Sequence, residues 1–470
     1  MGDDIGSETD GCDLGDKRLN ARYRRLLGRL GDQPQFSIPA ACRGKAEIEA
    51  AYRFFDHPRV TPARLLAPHH TATRRRMAEQ KCVIVAQDTT EIDLTRPERV
   101  VGGPLSNDHR CGFFSHLSLA ITTSGVPLGV LANRTWSRDP CTVGQSAAKH
   151  KRQTLDEKES HRWIEGYRAC CEAARALPGV EVIGVSDSEG DLYEALVEAQ
   201  TQQHAAKFIV RACQDRRLIG DEQQYLWASV SRAPVLGTRT VRVSERKAPP
   251  SETRKRRKAR GAREAVLAIQ AATVTPRAPW RPDGKLPSVP VTVVRAREVN
   301  PPPGEEPIEW LLLSDLPART LAEAEHVLDG YTHRWLIEVY FRVLKSGCGV
   351  EKLQLETAER MENALTVYQI VAWRVLLLTM LGRATPNVSC ETVLTEPEWK
   401  AVYVVVLRKK APKKVPSLSL MVRLIAMLGG HLGRTNDPPP GPKAMWVGLQ
   451  QARTLALGWE TFGPGAKTYA

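Results

Sequence analysis

Tyr331-Thr332-His333-Arg334-Trp335-Leu336-Ile337-Glu338, followed seven residues later by Lys345, is the stretch that decides the reading of this chain. Taken as part of one helix over residues 321–346, it sets Arg334, Glu338 and Lys345 at offsets of 3, 7 and 14 from Tyr331. At 3.6 residues per turn the four side chains then share an arc of about 60° on one face. That face carries a phenol, two cations and a carboxylate. Such a set suits a metal ion beside phosphates better than a hydrophobic core; the plain alternative is a solvated polar stripe.

Working upstream, Trp310-Leu311-Leu312-Leu313-Ser314 reads as a strand, as does Lys207-Phe208-Ile209-Val210-Arg211. Two further apolar runs each end in an acid: residues 180–187, closing on Asp187, and residues 82–88, closing on Asp88. Residues 114–136 read as a hairpin turning at Thr123-Ser124-Gly125, and 156–177 and 191–199 read as helices. The order β-β-β-α-β-α-β predicts a mixed sheet in an α/β domain. Residues 214–305 interrupt it with alternating stretches, Pro-rich ends and the run Arg254-Lys255-Arg256-Arg257-Lys258-Ala259-Arg260. They read as a β-rich insertion carrying a basic loop, which is either a solvated tip or a nucleic-acid contact.

On either side the pattern is helical. Residues 14–68 alternate apolar positions with Lys and Arg, while residues 1–12 read as flexible. Residues 357–470 are mostly helical with a break at Pro438-Pro439-Pro440. The expected division is 1–68, a helical domain whose basic face suits DNA; 69–356, an α/β core with the β-rich insertion; and 357–470, a helical C-terminal domain.

At 470 residues the chain is long enough for about two to four domains. Its 67 Lys and Arg against 53 Asp and Glu give a net charge of +14, which favours a polyanionic partner, DNA or RNA first and an anionic membrane surface second. The longest apolar run, 364–381, is interrupted by Gln369 and Arg374 and reads as a buried helix rather than a membrane span. The N-terminus lacks the apolar core of a secretory signal. Ten cysteines without a CxxC pair read as reduced thiols of a cytosolic protein.

Acids at strand ends facing a helix can converge on divalent cations. Mg²⁺ prefers oxygen ligands and often binds through few carboxylates plus substrate phosphates. Two such ions can activate an attacking oxygen and stabilise a leaving one at phosphorus. For any single Asp at a strand end, turn formation or capping is the competing explanation.

Together, Tyr331-x2-Arg334-x3-Glu338-x6-Lys345 resembles the Y-R-E-K signature of the insertion-sequence-four family of DDE transposases, the group that includes the transposase of transposon five. Gln87-Asp88-Thr89-Thr90 is similar to that family's first acidic motif, and Ser186-Asp187-Ser188-Glu189-Gly190-Asp191 to its second. Ala50-Ala51-Tyr52-Arg53-Phe54, Asn300-Pro301-Pro302 and Trp310-Leu311-Leu312-Leu313 extend the likeness.

The resemblance implies a ribonuclease-H-like mixed-sheet core with a β insertion between the second Asp and the Glu. It implies Asp88, Asp187 and Glu338 as a DDE triad holding two Mg²⁺ ions, with Mn²⁺ able to substitute. It implies DNA contacts from Tyr331, Arg334, Lys345 and Arg211, with Trp310 as a stacking platform for a flipped base and Trp335 as a wedge. Arg342 stands where a relative carries Lys. The expected activity is cut-and-paste transposition through cleavage, hairpin formation and strand transfer, by a homodimer that pairs two transposon ends in the bacterial cytoplasm. The competing readings are a catalytically inactive DNA-binding regulator derived from a transposase and a structure-specific DNA nuclease.

Overall fold

The computed structural model describes residues 5–42, 44–96, 98–107, 109–142, 156–220, 225–245, 260–281, 284–434 and 437–464. The chain divides into two compact units: residues 1–145 with 335–470, and residues 146–334.

The first unit opens with a 3-10 turn, Ile5–Thr9, and helices α1 (Lys17–Asp32), α2 (Lys45–Phe55) and α3 (Pro62–Ala78). Residues 5–12 are not a loose arm, contrary to the sequence expectation, and residues 1–4 lie outside the described residues. Glu8 is buried, pairing with Arg76 at 2.7 Å and accepting from His69 Nδ1 at 2.5 Å. The far ring nitrogen of His69 accepts the Val130 amide at 3.0 Å, so its proton sits on Nδ1, facing Glu8. Burial alone would raise the Glu8 carboxyl, but the His69 hydrogen bond and the Arg76 guanidinium overcome it and hold its pKa at about 2.

Strands β1 (Cys82–Asp93), β2 (Gly103–Pro104), β3 (Cys111–Thr122) and β4 (Pro127–Trp136) follow. β3 and β4 form the expected hairpin, and Gly125 at its tip has φ +83°, a left-handed conformation that suits glycine. β1 pairs antiparallel with β3 from Val83↔Thr122 to Asp93↔Gly112. The strand therefore runs five residues past Asp88, which lies mid-strand opposite Leu117 instead of at a strand end. The continuation Thr89–Asp93 is half-buried and polar apart from Ile92, which hid it from a search for apolar runs.

The second unit contains α4 (His161–Ala176), β5 (Glu181–Ser186), α5 (Tyr193–Thr201), β6 (Lys207–Arg211), α6 (Leu226–Arg232), β7 (Val235–Val243), β8 (Arg263–Val274), β9 (Val291–Glu298), β10 (Glu309–Ser314) and α7 (Leu321–Thr332). Its sheet runs β5-β6-β10-β9-β8-β7, parallel between β5 and β6 and antiparallel thereafter. The β-rich insertion is thus not a separate body: β7, β8 and β9 continue the same sheet from β10. Asn300, at φ +54°, takes up the left-handed turn between β9 and β10. Arg260 is described, whereas the run 254–258 lies outside the described residues.

Back in the first unit, the chain continues through α8 (Trp335–Arg342), a π-helical turn (Val343–Gly347), and helices α9 (Ala358–Ala384), α10 (Glu396–Leu407), α11 (Leu418–Leu428) and α12 (Pro442–Phe462). α9 is long and apolar enough to cross a membrane, but most of that stretch is buried inside the unit. Trp373 and Tyr368 lie in its core with Tyr23, Phe54 and Tyr340, and the buried Gln369 side chain donates to Ser115 Oγ at 3.2 Å. The triple-proline break separates α11 from α12.

The single helix expected over 321–346 is three segments. Thr332 Oγ1 and His333 Nδ1 both bond the Asp329 carbonyl, at 2.7 and 2.8 Å. The His333 and Arg334 amides take carbonyls three residues back, those of Gly330 and Tyr331. Side chains competing for a helical acceptor end α7 there. The angular argument for a four-residue face on one straight helix therefore does not hold.

Candidate active site

In the first unit the predicted residues lie on regular elements of a packed core. Asp88 is half-buried, with Oδ1 accepting the Thr89 amide at 2.7 Å. α8 packs against β1 and buries Leu336, Ile337, Tyr340 and Phe341, leaving Glu338 half-buried among them. Trp335, the first residue of α8, is 54 % exposed, and Arg342 is exposed at its last turn. Past α8 the Cys348 amide reaches back five residues to the Val343 carbonyl at 2.7 Å, the bond that defines the π turn. Lys345 sits inside that turn and bonds to the Glu91 carbonyl and the Glu351 carboxylate.

The second unit gathers five predicted residues. Asp187 directly follows β5 and caps the 3-10 turn Ser188–Gly190, its Oδ1 accepting the Glu189 amide at 2.8 Å. Arg211 ends β6, the parallel neighbour of β5, and pairs in register with Leu312 of β10. α7 lies over this sheet and approaches it tightly at Gly330, where an added Cβ would stand 2.6 Å from Ile209 Cδ1. That approach sets Tyr331 above the β5 and β6 ends. Its ring meets Trp310 edge-on, with centroids 5.5 Å apart, and the Arg334 guanidinium lies 5.9 Å from its centroid. Burial pushes the Tyr331 phenol up, against the pull of Arg334 and Arg211, and the Asp187 charge adds to the rise. A carboxylate, two guanidiniums, a phenol and an indole thus share one end of this sheet.

The three acids of the second motif take three different roles, which the sequence does not distinguish. Glu189 is exposed and pairs with Arg162 at 2.8 Å. Asp191 is fully buried, pairs with Arg216 at 2.6 Å, and accepts the Cys213 and Gln214 amides through Oδ2. This ties the loop after β6 to the turn that carries Asp187. Arg162, half-buried beside Asp187 and Glu189, was also missed: burial lowers its pKa while the Glu189, Glu159 and Asp187 charges oppose the fall. An Arg on the preceding helix carries no sequence signal beyond its charge.

Among the described residues no three His, Cys, Asp or Glu side chains stand together as a ready cage for a metal ion.

Three family models match the chain. Residues 5–60 match a transposase DNA-binding model, residues 190–373 a transposase DDE domain, and residues 370–461 the dimerisation domain of the Tn5 transposase. The DDE match contains Glu338 and Lys345 and begins three residues after Asp187. With a DNA-binding segment, a ribonuclease-H-like α/β core and a dimerisation segment in that order, the chain is a DNA transposase of the DDE class, a metal-dependent enzyme that cleaves DNA and transfers strands. It belongs with the Tn5-like DDE transposases, and so binds DNA and forms a dimer.

Proposed function

We propose that this enzyme moves its element by a cut-and-paste route, with Asp88, Asp187 and Glu338 as its catalytic carboxylates, as in the insertion-sequence-four group whose signature it carries. The observation that carries the reading lies in the second unit, where Asp187, Arg211, Tyr331 and Arg334 meet at one end of the sheet: an acid among groups suited to phosphate.

Carboxylate oxygens are hard donors, and Mg²⁺ commonly completes its shell with substrate phosphate and water, so three carboxylates beside bound DNA are a donor set that suits it. Two bound Mg²⁺ ions, or Mn²⁺ in their place, would supply a pair of Lewis acids for in-line displacement at phosphorus. The three carboxylates would hold them. Arg334 and Arg211 present planar forks to phosphate oxygens, Lys345 a point charge, and Tyr331 a phenolic proton. Water attack at the transposon end frees a 3′-hydroxyl. That hydroxyl attacks the opposite strand to form a hairpin, a second water opens it, and the hydroxyl then joins target DNA. Each step breaks one P–O bond and forms another. A hairpin strains its terminal bases; Trp310 would stack a flipped base, the exposed Trp335 would wedge the gap it leaves, and Arg342 would contact the backbone. The dimer pairs two inverted-repeat ends through the C-terminal helices, and the reaction takes place on DNA in the bacterial cytoplasm. On this reading residues 1–68 bind DNA, 69–356 catalyse and 357–470 dimerise.

The test is incubation of the enzyme with Mg²⁺ and DNA carrying the native element's ends, comparing wild type with Glu338→Gln, Asp88→Asn and Asp187→Asn. Each variant is expected to bind the ends and to cleave on the order of 10³-fold more slowly, as when a group facing developing charge is removed. Cleavage equal to wild type sinks the triad. Wild-type binding without Mg²⁺-dependent cleavage selects the regulator, and cleavage indifferent to end sequence selects the nuclease.

A further inference from the structure

Lys345 is half-buried, and its surroundings are built to hold it. Its ammonium donates to the Glu91 carbonyl at 2.8 Å and meets Glu351 Oε1 at 3.2 Å. An ammonium has three protons to donate, and the third has no partner among the described residues. Glu351 is fixed in turn: it lies in the 3-10 turn Val350–Lys352, which packs on β1, and its Oε1 also accepts the Asp93 amide at 3.1 Å. The neighbouring acids are engaged elsewhere. The Glu91 carboxylate takes the Ser106 amide at 3.0 Å and Arg110 at 3.2 Å, and Asp93 takes Thr95 and the other arm of Arg110. Glu351 is therefore the carboxylate that bonds Lys345.

We propose that Glu351 is a positioning residue for the reaction. It holds the Lys345 ammonium against β1, the strand that bears Asp88, with one N–H left for a DNA phosphate. A lysine loses rotamer freedom when it binds; one already held by two bonds has lost that freedom beforehand. The inference rests on reading Lys345 as a phosphate contact. It assigns a role to an acid outside the triad that repels DNA by its charge yet serves DNA chemistry through its neighbour.

The experiment is a double-mutant cycle on single-turnover cleavage of prebound end DNA with Mg²⁺, using wild type, Glu351→Gln, Lys345→Ala and the double variant. Gln keeps an acceptor for the Asp93 amide and removes the charge that holds the lysine. Glu351→Gln is expected to slow cleavage about tenfold, the scale for loss of a group that orients an active-site residue, with end affinity and melting temperature near wild type. In the Lys345→Ala background the same change is expected to have no further effect. Wild-type cleavage by Glu351→Gln overturns the proposal, and so does an equal slowing in both backgrounds, which marks a merely structural role. Should Glu351→Gln fail to fold, Glu351→Asp, which keeps the charge but shortens its reach, goes through the same cycle, and the same outcomes support or overturn the proposal. Lys345→Ala cleaving like wild type refutes the phosphate reading itself; Lys345→Ala slow beside a normal Glu351→Gln refutes only the inference.

Discussion

The two compact units support their predicted residues in opposite ways. In the first, Asp88 and Glu338 lie inside a long strand and a helix, both anchored in a core that includes Tyr340, Tyr368 and Trp373. In the second, Asp187, Arg211, Tyr331 and Arg334 all stand at or beyond element ends, where a 3-10 turn, a strand terminus and a broken helix meet. Positions inside elements are fixed by many neighbours. Positions at ends are fixed by a few polar bonds, and each such bond matters more. Near its site the fold of the first unit should therefore keep its stability when a single polar contact is lost, and that of the second should not.

The largest test of this contrast is Asp191→Asn. It leaves Arg216, whose side chain is 7 % exposed, without its anionic partner, and should destabilise the second unit by about 3–5 kcal/mol. Thermal unfolding is expected to show the loss, with reduced end binding as the Asp187 turn loosens. An unchanged melting curve would remove the claim that the second unit hangs on few bonds.

Glu8 is the matching probe in the first unit. Its folded pKa of about 2 lies below the ordinary 4.5 of a free glutamate, so its stabilisation is complete above pH 4.5 and is lost as pH falls toward 2. The shift corresponds to about 3 kcal/mol. Glu8→Gln should flatten that acid limb of stability against pH while leaving metal-dependent cleavage at neutral pH near wild type. Loss of cleavage in a well-folded Glu8→Gln would show that the anchor reaches the site and would blur the contrast.

The smallest effect is expected from Tyr331→Phe. The ring keeps its place against Trp310 and Arg334 and only the hydroxyl is lost. One hydrogen bond to a charged group is worth about 1.5–3 kcal/mol, so end cleavage should slow by roughly ten- to a hundredfold with the melting temperature unchanged. Identical rates would place Tyr331 in the core alone.

Much of this was legible in the sequence. The 114–136 hairpin, the strands at 207–211 and 310–314 and the mixed α/β core follow from apolar runs and turn residues, which act locally. What escaped depends on partners far along the chain or on competition within it. Glu8 anchors the Ile5–Thr9 turn through His69 and Arg76, which stand 61 and 68 residues away. β1 runs on past Asp88 because β3 pairs with its polar half. The helix at 333 breaks because two side chains take one carbonyl, which no count of apolar positions reports. The division of labour among Asp187, Glu189 and Asp191 depends on which arginine each meets.

The π turn after α8 bears on how the signature is to be compared with others. A five-residue hydrogen bond accommodates one more residue per turn than an α-helix would. The six residues between Glu338 and Lys345 are thus a distance along the chain and not an angle around an axis. Another protein with the same spacing but an unbroken α-helix would aim its lysine elsewhere, and one with a residue fewer could aim it here. Letters that align need not be side chains that align, and the bulge rather than the count decides where this lysine points.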